Sequence, residues 1–440
     1  MDKSLFKFNI DYKNEYDYVT YQTSLIYKRI NNNFKNNYYS LFKHIEIENV
    51  SEDDYNDLTL HFNFNSDLIK INDISIAYIN HQEKVIIDKI DPLIEASKLY
   101  KLVEPIELTL NISLLNVNKE VLYETSIFIS LFPFCLPKIT SVDYSLFSSF
   151  VTPNDYLVNK VVIEASEDLK KINNETSFLA YQNKNINNIR AEMMAIFNCL
   201  YRYNIAYSNP PASFSFSQKI RIPQEVLKSH KGTCIDLAIL YCACLENIGL
   251  HPILIITKDH SYAGAFLDEF NHFNDFVTDN ASLIYNMTTG KLNSIELVEC
   301  TYFTNDNLAD YNLATKEAIK ETLNNNEGFK AIDINRAHRS FYKPIPTFNE
   351  NEEIDFKIKI NGANNNLELI DTENNGKIIL KSSSKKDKFS YWEKKLLDLS
   401  FKNKLINLKF NSSALQVLNY SSQNFLTYLL NNSSFKVEIK

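Results

Sequence analysis

One of the six cysteines in this 440-residue chain stands where a thiol could act as a nucleophile. Gly232-Thr233-Cys234-Ile235-Asp236 opens an apolar run through Leu245 that ends at Asn247 and Gly249. Thr233 with an acid three positions later is a capping-box pattern, so Thr233 is the expected N-cap and Cys234 the first helical residue. There the sulfur meets unpaired backbone N–H groups and the positive end of the helix dipole, a setting that favours the thiolate. A thiol nucleophile also needs an imidazole to take its proton, and the imidazole an acceptor that fixes its tautomer. His260 follows an expected strand, Pro252–Thr257, and precedes another, Tyr262–Leu267; a third, Ile295–Cys300, carries Glu299. Cys234, His260 and Glu299 thus supply the three types in that order, on a helix start, a strand edge and a strand.

Blander readings stand beside this one. A cysteine at a helix start can be a small core residue, and a lone histidine a satisfied surface or core group. Cys234, His230, His260 and Cys300 could form a zinc site, although their spacing matches no recognised pattern. Cys242 and Cys244 are two apart on a helix, roughly 200° around it, and cannot chelate one metal together. With Cys135 and Cys199 they are read as core residues.

Around these residues the chain must build several cores, and its composition allows that. Hydrophobic residues make up 45%, and 29 Phe and 26 Tyr supply large side chains, which excludes disorder as the dominant state. At one domain per roughly 100–200 residues, two to four domains are expected. The start MDKSLFKFNI lacks the basic-then-apolar run of a secretory signal, and no CxxC pair occurs. Reduced thiols and a cytoplasmic location are expected. The longest apolar run, Ile127–Leu136, is interrupted by Ser130 and Pro133 and is too short to span a bilayer. The net charge of −8 gives the whole chain no broad attraction for nucleic acid. One stretch departs from this: between Lys377 and Lys409 ten Lys stand against Asp387, Glu393 and Asp398. It is read as a solvated linker and helix face, with phosphate contact as the alternative.

Up to about residue 145, short runs alternate apolar and polar: Leu58–Phe64, Ile74–Ile79, Val85–Ile90, Ile106–Leu114 and Val121–Ser130. That period and spacing predict an antiparallel β-sandwich, and the segment holds no set of catalytic residue types, so a scaffold or docking role is expected. From Asn154 the period turns helical. Leu157, Val161, Val162 and Ala165 share a face, a second helix is expected over Ile189–Tyr201, and Asn209-Pro210-Pro211 ends that region. Seven Gly in the whole chain is few, and three of them, Gly232, Gly249 and Gly264, fall within the segment that carries Cys234 and His260.

Pro210-Pro211-Ala212-Ser213-Phe214, Ser217-Gln218-Lys219-Ile220-Arg221-Ile222-Pro223, GTCIDLAILYCACLENIGLHPILI (232–255) and Asp259-His260-Ser261 resemble the transglutaminase-like cysteine peptidase domain of large bacterial helicase-associated proteins. The likeness runs from Ser149–Pro153 through Glu299-Cys300-Thr301 to DINRAHRSFYKPIP (333–346), over roughly residues 148–346. It implies a papain-like thiol fold, a helix bearing Cys234 packed on an antiparallel sheet bearing His260 and the orienting acid. In the wider superfamily that acid is usually Asp; the matching strand here offers Glu299. Glu296, three residues away, lies on the other strand face. The resemblance also points to Gln218 as an oxyanion donor beside the Cys234 backbone N–H, although Ser217 stands where the family has Gly.

Trp392, Leu396, Leu399, Leu405 and Ile406 fit an amphipathic helix, and YWEKKLLDLSFKNKLINLKF (391–410) resembles the opening of the uncharacterised domain beside the helicase in those proteins. No GxxxxGK[ST] occurs, so no ATPase is expected in this chain, which reads as a fragment or as a shortened member without the motor. The expected architecture is α+β: a β-sandwich over 1–147, the transglutaminase-like domain over 148–346, a polar connector over 347–390 with short strands at Phe356–Ile360 and Leu367–Ile370, and a helical segment over 391–440. Two functions follow. One is a cysteine peptidase or acyl transferase using Cys234, His260 and Glu299 on a protein or peptide, with no cofactor and no metal. The other is a catalytically silent fold that holds a peptide or partner. The resemblance adds a helicase or nuclease partner, a place in antiphage defence, and nucleic-acid contact through 377–409 alone; no membrane role is expected.

Overall fold

The structure, a computed structural model, describes residues 5–31, 38–137, 143–209, 219–289, 293–305, 307, 310–324 and 327–347. All of them fall in one compact unit, Met1–Lys359. Gln218, the 347–390 connector beyond Thr347, the basic 377–409 stretch and the 391–440 helix lie outside them.

The described chain is mixed α+β. In its first part the period-two runs form two sheets. Phe6–Tyr12, Phe42–Asn49 and Lys84–Ile87 make an antiparallel three-stranded sheet. The second has five strands in the order Glu15–Asp17, Val121–Phe132, Ile106–Leu115, Tyr55–Phe64 and Ile74–Ile79. It is antiparallel except where Glu15–Asp17 runs parallel to Val121–Phe132. Along Ile106–Leu115 the alternation places Leu108, Leu110, Ile112 and Leu114 in the core, as a half-buried strand requires. Between strands lies a helix that the alternation did not announce, Tyr18–Asn31. Its sequence is rich in residues that favour strands. The helix forms because the Asp17 carboxylate accepts from the Thr20 backbone N–H and hydroxyl at 2.8 and 2.9 Å, and because Tyr18, Val19, Tyr21 and Ile26 find a core to enter.

The second part begins with helices Tyr156–Asn173 and Ile186–Arg202, capped by Asp155 and Asn185. They pack on each other, and both pack on the central helix Cys234–Asn247. That helix is apolar on every side and buried from Cys234 through Leu245, so neighbours cover its whole circumference. It lies on an antiparallel sheet ordered Val277–Thr278, Lys330–Asp333, Pro252–Ile256, Ser261–Phe266 and Ile295–Val298. The pleat divides the sheet's side chains. Leu254, Ile256, Ala263, Ala265 and Val298 join the core that contains the central helix. Ile253, Ile255, Tyr262, Phe266, Ile295 and Leu297 form a second core with Ile284 and Ala318, from helices Ala281–Thr289 and Tyr311–Asn324. The result is helix, sheet, helix, with the Cys234 end of the central helix beside one end of the sheet.

Gly264 holds two of the sheet's strands at their separation. It pairs with Leu297, and a Cβ at this position would lie 2.3 Å from the Glu296 carbonyl oxygen. Only glycine lets strand Ser261–Phe266 come this close to Ile295–Val298, which leads directly into Glu299.

Candidate active site

Cys234 occupies the first position of its helix, with Thr233 as N-cap. The capping box is closed by Asp236, whose carboxylate accepts from the Thr233 backbone N–H at 3.0 Å. Asp236 is fully buried and also accepts from the Arg221 backbone N–H at 2.8 Å and from its guanidinium at 2.9 Å. One carboxylate therefore fixes the start of the nucleophile helix and ties the preceding segment to it.

His260 closes a tight turn between two paired strands. Ile256 opposes Ser261, the Thr257 N–H donates to the His260 carbonyl at 2.8 Å, and the His260 N–H donates to the Thr257 hydroxyl at 3.1 Å. The imidazole is thus held by its own backbone before any side-chain partner acts on it.

Glu299 does not continue the strand as its sequence suggests. The strand stops at Val298, and Glu299 becomes the N-cap of a 3₁₀ turn, Cys300–Phe303. Its Oε1 accepts from the Thr301 N–H at 3.1 Å and from the Thr301 hydroxyl at 2.8 Å, while Oε2 accepts from His260 Nε2 at 2.7 Å. One carboxylate oxygen is anchored and the other is aimed. Glu296 points elsewhere, to Arg190 at 2.7 Å and the Tyr311 hydroxyl at 3.3 Å.

Nε2 engages Glu299, and the ring lies close enough to Cys234 for that sulfur to act on its charge. Burial opposes charge on this imidazole. The Cys234 sulfur and the Glu299 carboxylate outweigh burial and raise the His260 pKa to about 10. Only 6% of Cys234 is exposed, against 21% of the His260 side chain and 4% of Glu299's.

At the other five thiols burial dominates. Burial pushes Cys199 up to about 12, raises Cys135, and raises Cys242, Cys244 and Cys300 well above the ordinary thiol value. All six are free. His230, the remaining member of the zinc alternative, is exposed and its Nδ1 engages the Tyr203 carbonyl at 2.8 Å. Among the described residues no three His, Cys, Asp or Glu side chains are arranged to hold a metal ion. Nor is any helix among them long and apolar enough to cross a membrane. A cavity of about 760 Å³ lined by Asp57, Thr59, His61, Asp73, Ser75 and Lys119, among others, opens on the five-stranded sheet of the first part and shares no residue with this site.

Two site residues escaped the sequence. Thr301 could have been found, since an acid followed two residues later by threonine is a capping pattern. Tyr207 could not. Ala206–Tyr207 pairs with Lys231–Gly232, just before the nucleophile helix, in a two-residue ladder that no periodicity announces, and after burial the charge of Cys234 is the next cause that raises the Tyr207 pKa.

Comparison with known proteins adds a family likeness over part of the chain. No curated protein matches it. Among solved structures, the crystal structure of YadV chaperone aligns over 31% of this chain and 56% of its own at 10% identity, but with a TM-score of 0.19 that likeness carries no argument. Residues 167–273, less than half of the chain, match a family model described as a transglutaminase-like domain; the matched stretch includes Cys234 and His260 and ends before Glu299.

Proposed function

We propose that this protein is a thiol-dependent hydrolase or acyl transferase acting on peptide amide bonds, with Cys234 as nucleophile, His260 as general base and then acid, and Glu299 as orienter. The observation that carries the reading is the 2.7 Å contact of His260 with the anchored Glu299 carboxylate, with Cys234 at the start of its helix near enough to His260 to help raise its pKa. The thiol proton passes to His260 Nδ1 and the sulfur attacks the amide carbon. The C–N bond then breaks as the leaving amine takes that proton, giving a thioester. Water, deprotonated by His260, attacks the thioester, and the free acid leaves as the sulfur is regenerated. Hydrolysis is preferred to amine transfer because most of the bacterial relatives suggested by the sequence resemblance look like peptidases.

A second reading, a silent fold that holds a peptide or partner, is favoured by one observation, the 6% exposure of Cys234. Incubating the full chain with a proteome-derived peptide pool and reading new termini by mass spectrometry separates the two. The enzyme reading expects termini that vanish in Cys234→Ala; identical patterns from both proteins would remove hydrolysis.

Within this proposal residues 1–147 serve as a docking β-sandwich and 148–346 as the peptidase domain, in the cytoplasm. The resemblance of 391–410 supports a bacterial helicase- or nuclease-linked system, with defence against foreign DNA as its setting and 377–409 as the stretch that would meet nucleic acid.

A further inference from the structure

The helices on the far side of the sheet from Cys234 reach both His260 and Glu299. Helix Tyr311–Asn324 belongs to that layer. Its Ala314 carbonyl accepts from the Glu299 backbone N–H at 3.1 Å. Roughly two turns further along the same helix, the hydroxyls of Thr322 and Tyr262 lie 2.7 Å apart. Thr322 already donates its one hydroxyl proton to the Ala318 carbonyl at 2.9 Å, so Thr322 accepts and Tyr262 donates. Both side chains are buried. With its tip tied to Thr322 and its body packed in the second core, the Tyr262 ring stacks on the His260 imidazole, the ring centroids 6.1 Å apart and the planes inclined by 28°.

Resting on the peptidase reading above, we propose that Tyr262 is a positioning residue for His260: its ring, held by Thr322, sets the tilt of the imidazole that Glu299 orients. A hydrogen bond at one nitrogen leaves a planar ring free to pivot about the axis of that bond, and a second ring against its face removes the pivot. The turn backbone fixes where the His260 side chain starts, the Glu299 carboxylate fixes Nε2, and Tyr262 fixes the plane, which keeps the other nitrogen in place for the thiol proton. Because helix Tyr311–Asn324 supplies both the Thr322 hydroxyl and the Ala314 carbonyl, one element behind the sheet keeps base and orienter in register.

The test is the rate of iodoacetamide labelling at Cys234 in the full chain at pH 6, well below the melting temperature, for wild type, Tyr262→Phe and Tyr262→Leu. Phenylalanine keeps the flat face and removes the donor to Thr322; leucine fills much of the core and has no flat face. The expected result is labelling about tenfold slower in Tyr262→Leu and within about threefold of wild type in Tyr262→Phe, although both variants melt lower, because reactivity follows the ring and stability the hydrogen bond. A wild-type rate in Tyr262→Leu, or equal losses in both variants, would overturn the positioning role. Should Tyr262→Leu fail to fold, a nuclear Overhauser effect between the ring protons of His260 and Tyr262 in the wild type, assigned by comparison with His260→Ala, decides: its presence is expected and its absence overturns the role. Either way the peptidase reading survives as long as wild-type Cys234 is reactive and depends on His260. If wild-type Cys234 labels no faster than Cys300, that reading falls, and the role of Tyr262 with it.

Discussion

The six thiols differ by their surroundings rather than by their chemistry. Five are raised by burial, with Cys199 at about 12, whereas Cys234 lies at a helix start near His260. Glu299 is the group whose removal should expose this difference most cleanly. In Glu299→Gln the charge that supports His260 is gone, and labelling of Cys234 near pH 6 should fall by about tenfold or more. Stability carries the same signature. The His260 pKa is raised in the folded state, so its charge stabilises the fold fully below the unfolded value of about 6.5 and ceases to do so as pH rises through about 10. The melting-temperature gap between wild type and Glu299→Gln should therefore be widest below about pH 6.5 and narrow towards pH 10, down to a constant part from the lost Thr301 contacts. A gap independent of pH would mean that Glu299 caps its turn and does nothing for His260.

Elements, not residues, bring the site together, and the closest tolerance is at Gly264. In Gly264→Ala the new methyl meets a backbone oxygen, which cannot yield as a flexible side chain would. Strand Ile295–Val298 must move away, at a cost of about 1–3 kcal/mol, and Glu299 goes with it. Urea unfolding should show the loss, and Cys234 labelling should drop in the still-folded variant; full reactivity would show that Glu299 is positioned independently of that strand. The same elements show what a sequence can and cannot reveal. The helix start at Cys234 was legible because a capping box is local, and the Pro252–Ile256 strand because its apolar run is bounded by His251 and Thr257. The end of the third strand was misplaced by two residues because Glu299 and Thr301 make a cap of their own. Helix Tyr18–Asn31 was missed because burial of its tyrosines and the Asp17 cap override the strand preference of its residues. Tyr207 depends on two segments meeting at a distance, which pattern cannot supply.

At the scale of the molecule, one core runs from Phe6 in the first sheet through Leu240 of the central helix to Ile345. Polar contacts follow the same path. Tyr39 donates to Asp143 at 2.6 Å, the Tyr39 and Tyr342 hydroxyls lie 2.7 Å apart, and Gln22 donates to the carbonyls of Lys343 and Pro344 at 3.1 and 3.2 Å. Within Met1–Lys359 the sheets of the first part and the segment that closes the second therefore share buried partners. Asp143→Ala leaves the Tyr39 and Tyr342 hydroxyls short of an acceptor and should lower stability by about 2 kcal/mol. Far- and near-ultraviolet circular dichroism should still unfold together in urea, because the apolar core crosses the same boundary. Separate transitions in the wild type would contradict a shared core. The whole arrangement comes to bear on one sulfur atom, and the most direct test is the rate of iodoacetamide labelling at each of the six cysteines between pH 5 and 9, in wild type and His260→Ala. Cys234 should label fastest, stay reactive well below the ordinary thiol value of about 8.5, and lose that reactivity without His260. Labelling of Cys234 no faster than Cys242 or Cys300, unchanged by the loss of His260, would contradict it.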